Sequence, residues 1–73
     1  MVFKKICEIL HSIGIEGEIS KNDFLIDNLG IDSTEMASLI IDLKKKFDVN
    51  LDETACWKMT VADIIKIIEQ SRH

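Results

Sequence analysis

A small all-α, three-to-four-helix bundle is the fold this sequence predicts, on three observations. Apolar residues recur at spacings of three and four in three separate segments, no segment of useful length alternates apolar with polar residues, and proline is absent. The 73 residues make one domain, 1–73. A chain this short buries only about 60–65% of the surface it exposes when unfolded, so its core must be lean and there is no room for a separate active-site cleft.

The first helix is marked by Val2, Phe3, Ile6, Ile9, Leu10 and Ile13, with Lys4, Lys5, Glu8 and Ser12 between them. Gly14 is its expected stop. From Ile15 to Asp32 the periodicity vanishes and Gly, Asn, Asp and Ser accumulate, which predicts a connection longer than most in compact domains. Such a loop needs anchors, and Phe24, Leu25, Ile26, Leu29 and Ile31 are the candidates, because together they would otherwise sit in water.

The second helix is expected to start at Asp32, whose carboxylate can accept from free amides, with Glu35 completing a variant capping box. It runs to about Phe47. At roughly 100° per residue, Met36, Leu39, Ile40, Leu43 and Phe47 fall on one buried stripe, with Asp42 and Lys45 outside it. Lys44, Lys45 and Lys46 close the helix, where cations complement the carbonyl end of its dipole. Residues 48 to 59 are short and mixed, with Leu51, Ala55, Trp57 and Met59 as apolar candidates and a helical turn around Thr54 to Trp57. Core packing near the short helix is the plain role for Trp57, and a pocket or partner contact is the sharper alternative. The third long helix opens on Thr60-Val61-Ala62-Asp63, a cap with an acid three residues later, and Val61, Ile64, Ile65 and Ile68 continue it to about Gln70.

The formal net charge of −4 disfavours nucleic acid and anionic membrane surfaces and points to a protein or a cationic surface as partner. No apolar run approaches a membrane span, and the first residues do not resemble a secretory signal, so the expected location is the cytoplasm. Met1 and the lack of linker composition predict a freestanding chain, and a monomer is expected. Cys7 and Cys56 lie far apart without metal or redox spacing, and two reduced, mostly packed thiols are expected. His11 and His73 have no neighbours at ligand spacing, so no metal site is expected.

The chemistry concentrates at Leu29-Gly30-Ile31-Asp32-Ser33. Ser33 lies one residue past the cap, roughly 60° from the centre of the buried stripe, which places its hydroxyl exposed at the rim of the core. No local histidine would make it a nucleophile, so no catalytic residue is expected. A serine at this position suits a phosphate ester, favoured by unpaired amides and the positive end of the macrodipole.

The run Asp27-Asn28-Leu29-Gly30-Ile31-Asp32-Ser33, then Glu35, Leu39, Ile40, Leu43 and Phe47-Asp48, with Thr60-Val61 opening the last helix, resembles the acyl carrier protein family, including its peptidyl and aryl carrier relatives. The likeness covers nearly the whole chain. It implies that Ser33 is esterified by a 4'-phosphopantetheine arm, taken from coenzyme A by a separate Mg²⁺-dependent phosphopantetheinyl transferase, and that the arm's thiol holds acyl groups as thioesters. The protein would then be a substrate of other enzymes, among them acyl-loading, acyl-transfer or condensing enzymes, and not itself an enzyme. Asp32 would help present the serine to the transferase besides capping the helix.

Family members dock through the exposed side of the helix after the serine, which here carries Thr34, Ala37, Ser38, Ile41 and Lys45. Ile41, one turn after Ala37, is the first choice for a docking contact. Fatty-acid-synthesis carriers usually place an apolar residue after the serine and several acids along this helix. Thr34, Ser38 and Lys44-Lys45-Lys46 depart from that pattern and suggest a specialised carrier with dedicated partners. If acyl chains are sheltered, Ile40, Leu43, Val49, Leu51 and Ile64 are the candidate lining. Two other classes remain open: a cofactor-free helical protein-interaction module, and a nucleic-acid-binding domain that would have only Lys44 to Lys46 for a basic face.

Overall fold

A computed structural model describes residues 2–71. The elements are α1 (Val2–Ser12), α2 (Ser33–Phe47), α3 (Glu53–Cys56) and α4 (Val61–Ser71). α1 packs against both α2 and α4, and the one-turn α3 packs against α2. The core is the apolar set that the spacing predicts: Ile6, Ile9 and Leu10 of α1, Met36, Leu39 and Leu43 of α2, and Val61, Ile64 and Ile68 of α4. Each fully buried Leu or Ile contributes roughly 1.5–3 kcal/mol. The α2 stripe is narrower than expected, since Ile40 and Phe47 are half-buried, as is Asp42.

α1 ends as its sequence suggests. Gly14 takes φ +109°, its amide donates to His11 O at 3.2 Å, and the amide of Ile15 reaches back to Leu10 O at 3.0 Å. This is a Schellman closure, and the buried side chains of Ile15 and Leu10 supply its apolar contact.

The long connection is held by α4. The first amides of that helix have no partners within it, and two of them bind loop carbonyls instead: Val61 N–H donates to Asp23 O at 3.0 Å and Ala62 N–H to Lys21 O at 2.9 Å. Leu25 N–H in turn donates to Met59 O at 3.1 Å, beside an isolated antiparallel bridge between Phe24 and Thr60. Thr60 and Asp63 form the expected reciprocal cap, with Asp63 N–H to Thr60 Oγ1 at 3.2 Å and Thr60 N–H to Asp63 Oδ2 at 3.0 Å. An amphipathic helix and a polar loop thus satisfy each other's backbones.

Two expected core residues lie outside it. Phe24 is 44% exposed, because in extended backbone neighbouring side chains alternate and Leu25, fully buried, takes the inward position. Trp57 is 36% exposed, because a single helical turn turns only one side chain toward the bundle, and at α3 that is Cys56. The remaining loop anchors, Leu25, Ile26, Leu29 and Ile31, are buried or half-buried as expected.

Candidate functional site

The segment before Ser33 is built to deliver it. Asn28 Oδ1 accepts from the amide of Phe24 at 2.7 Å, closing a turn that continues through Leu29 N–H and Gly30 N–H to the carbonyls of Phe24 and Ile26, each at 3.1 Å. Gly30 then takes φ +69°, and Ile31 plugs the core beside it. These two residues reverse the chain and tie it down immediately ahead of the cap.

The cap is reciprocal. Asp32 Oδ1 accepts from Glu35 N–H at 2.8 Å, and Glu35 Oε1 accepts from Asp32 N–H at 3.0 Å. Asp32 keeps extended backbone, while its carbonyl takes the first helical bond from Met36 at 2.8 Å. Ser33 is therefore the first helical residue, and its side chain is exposed. Its hydroxyl and its own amide make no hydrogen bond among the described residues, nor does the amide of Thr34.

A phosphate ester fits here. Two open amides and the positive end of a 15-residue helix face it. A Cβ built on Gly30 would meet nothing within 4 Å, so the space over the turn is open. The carboxylates of Asp32 and Glu35 are each held by a backbone amide, which limits their repulsion of an added anion.

Among the described residues, nothing around Ser33 would activate it. The ring of His11 is engaged at Nε2 with Gly17 O at 3.0 Å, away from any role as base. His73 lies outside the described residues. No group of three His, Cys, Asp or Glu side chains gathers as a metal site among the described residues. Cys56 is fully buried and Cys7 half-buried, and both are free thiols. Burial pushes both thiols above their ordinary range, and the carboxylates of Asp52 and Glu53 raise Cys56 further, so neither forms a thiolate readily.

On the face expected for docking, Thr34, Ala37, Ile41 and Lys45 are exposed and Ser38 is half-buried. Ile41 stands out at 53% exposure. Of the residues expected to line an acyl cleft, Leu43, Val49 and Ile64 are buried and Ile40 and Leu51 half-buried. An open depression of about 310 Å³ occurs elsewhere, lined by Lys5, Lys45, Lys46, Phe47 and Asp48 at the far end of α2. Sequence periodicity hides it, since Lys5 joins the cluster only through packing of α1 on α2. Asn28 was likewise visible only as part of a motif; an Asn four residues after the amide it caps is the signal that marks it.

No helix among the described residues is long and apolar enough to cross a membrane. No family model matches the chain, and no solved structure matches it at a significant level. Three curated proteins named acyl carrier protein are similar to it across nearly their whole lengths. That of Thermotoga maritima is 33% identical over 72 residues, covering 94% of this chain and 89% of its own. The one of Clostridium acetobutylicum is 36% identical, covering 94% of each chain. The Desulforapulum autotrophicum protein is 37% identical over 70 residues, covering 94% of this chain and 90% of its own.

Proposed function

The chain belongs to the acyl carrier protein family, and we propose that it holds acyl, aminoacyl or aryl groups as thioesters on a 4'-phosphopantetheine arm at Ser33 and presents them to partner enzymes of a specialised biosynthetic pathway. The observation that supports this most directly is Ser33 itself, exposed at the first position of α2 with no activating base beside it among the described residues. A group attached there supplies the thiol that this chain otherwise lacks in reactive form.

The chain's own residues position that attachment. Asn28 and Gly30 fix the approach, Ile31 anchors it, and the exposed Asp32 caps the helix through one carboxylate oxygen and offers the other to the transferase. Thr34, Ala37, Ser38, Ile41 and Lys45 form the docking face for the acyl-loading, acyl-transfer or condensing enzymes. The protein works in the cytoplasm as a monomer, and its role is that of a carrier and not a catalyst.

Incubation of the apo-protein with coenzyme A, Mg²⁺ and a permissive phosphopantetheinyl transferase is expected to add the mass of one arm, read by intact mass spectrometry. Ser33→Ala is expected to abolish the gain while keeping the helical circular dichroism, since exposed substitutions of this kind change stability by about 0.5 kcal/mol or less. A Ser33→Ala variant that still gains the mass overturns the assignment.

A further inference from the structure

The depression at the C-terminal end of α2 gathers Lys45 and Lys46 from one helix and Lys5 from another, with Phe47 beside them and Asp48 as the single acid lining it. All three lysines are exposed. Three ammonium groups against one carboxylate make a positive patch on a chain whose net charge is −4.

Helix stability accounts for only part of this cluster. Lys45 and Lys46 complement the carbonyl end of α2. Lys5 does the opposite, because it lies near the start of α1, a helix with no acid in its first turn, where the dipole disfavours a cation. A charge placed against its own helix yet converging with two others in space has a reason beyond the helix. One turn before Lys45, on the same face, Ile41 offers an apolar contact at 53% exposure.

We propose that this end of α2 docks an acidic protein surface, with Lys5, Lys45 and Lys46 meeting its carboxylates and Ile41 entering an apolar socket beside them. The inference deepens the carrier reading, on which it rests for what the partner does, and assigns the charge that partner must present. Charge complementarity selects the protein surface over the other anions. A membrane would need more apolar surface than one Ile, and a chain of net charge −4 is repelled by anionic lipid. At the interface, the lysines steer encounter and reject cationic surfaces, while the apolar contact of Ile41 slows departure.

The test uses the ¹⁵N-labelled protein and two synthetic helical peptides of equal length, one built of Glu and Leu and one of Lys and Leu. The Glu/Leu peptide is expected to shift the amide resonances of Lys5, Ile41, Lys45 and Lys46, and the Lys/Leu peptide to leave them in place. In the Lys5→Glu/Lys46→Glu variant, with its fold checked by circular dichroism, affinity for the Glu/Leu peptide is expected to fall about tenfold. Equal affinity for that variant, shifts confined to another face, or equally tight binding to phosphatidylglycerol vesicles overturns the proposal. Addition of the arm to the wild-type protein is scored separately by mass, so a protein that is modified but ignores the acidic peptide sinks the docking surface alone. One that binds the peptide but accepts no arm sinks the carrier reading.

Discussion

The two ends of α2 are fastened by opposite means. At the start, a reciprocal side-chain cap between Asp32 and Glu35 leaves Ser33 exposed, and the acids sit where the dipole welcomes negative charge. At the finish, the backbone itself does the work: Asp48 takes φ +57° and ψ +41°, and its amide closes on Lys44 O at 2.8 Å. The first end is capped by acids around one open hydroxyl, and the second is cationic around a depression. A helix of 15 residues, about 22 Å long at 1.5 Å per residue, therefore keeps its open serine and its lysine cluster apart while one buried stripe holds both to the same core.

The first end also leans on α1. Gly14, at φ +109°, turns beside it, and a Cβ there would lie 3.5 Å from Glu35 Oε2. Gly14→Ala is the largest expected effect of the comparison. It forces a side chain into backbone that L residues rarely adopt and is expected to cost about 1–2 kcal/mol, measured by urea denaturation. Unchanged stability would mean that the Schellman closure of α1 does not brace this site.

Next comes the cap. Asp32→Ala is expected to cost about 1 kcal/mol, since it strands the Glu35 amide and leaves only one half of the reciprocal cap. Asp32→Asn keeps an acceptor oxygen and is expected to keep most of that stability. Because the charge is what the transferase would meet, the Asn variant is expected to be modified more slowly than the wild type at equal stability. Equal rates for Asp32→Asn and wild type would confine Asp32 to capping.

Helix existence, helix order and the position of Ser33 were legible because each depends on local spacing: apolar positions at three and four, a carboxylate before a helix, a Glu at its third position. Phe24 and Trp57 were misplaced for the complementary reason. Their inward or outward direction depends on which neighbour the tertiary fold selects, Leu25 in one case and Cys56 in the other, and an apolar residue in irregular backbone carries no period to read. The loop's anchoring was half legible. Its buried residues could be listed from composition, but that its carbonyls at Lys21 and Asp23 would cap α4 needs the fold. Lys5 shows the same limit at the surface, since its partners in the depression lie some forty residues away in the chain.

The smallest expected effect lies at the second end and separates backbone from charge. Asp48 is the one non-glycine residue among those described with positive φ, and its carboxylate stands at the carbonyl end of α2, where negative charge is disfavoured. Asp48→Gly relieves both strains but adds freedom to the unfolded chain, which offsets about 0.4–1 kcal/mol of the gain. The net expectation is a stabilisation of about 0.5 kcal/mol, read as a higher denaturation midpoint with an unchanged slope. Asp48→Asn tolerates the left-handed backbone and removes only the charge, so it isolates the electrostatic share. Both variants also take the single acid out of the depression, and both should bind the Glu/Leu peptide more tightly than the wild type. If Asp48→Gly gains stability while peptide affinity stays flat, the left-handed residue is a hinge of the fold alone and the lysines do not act through the depression it lines.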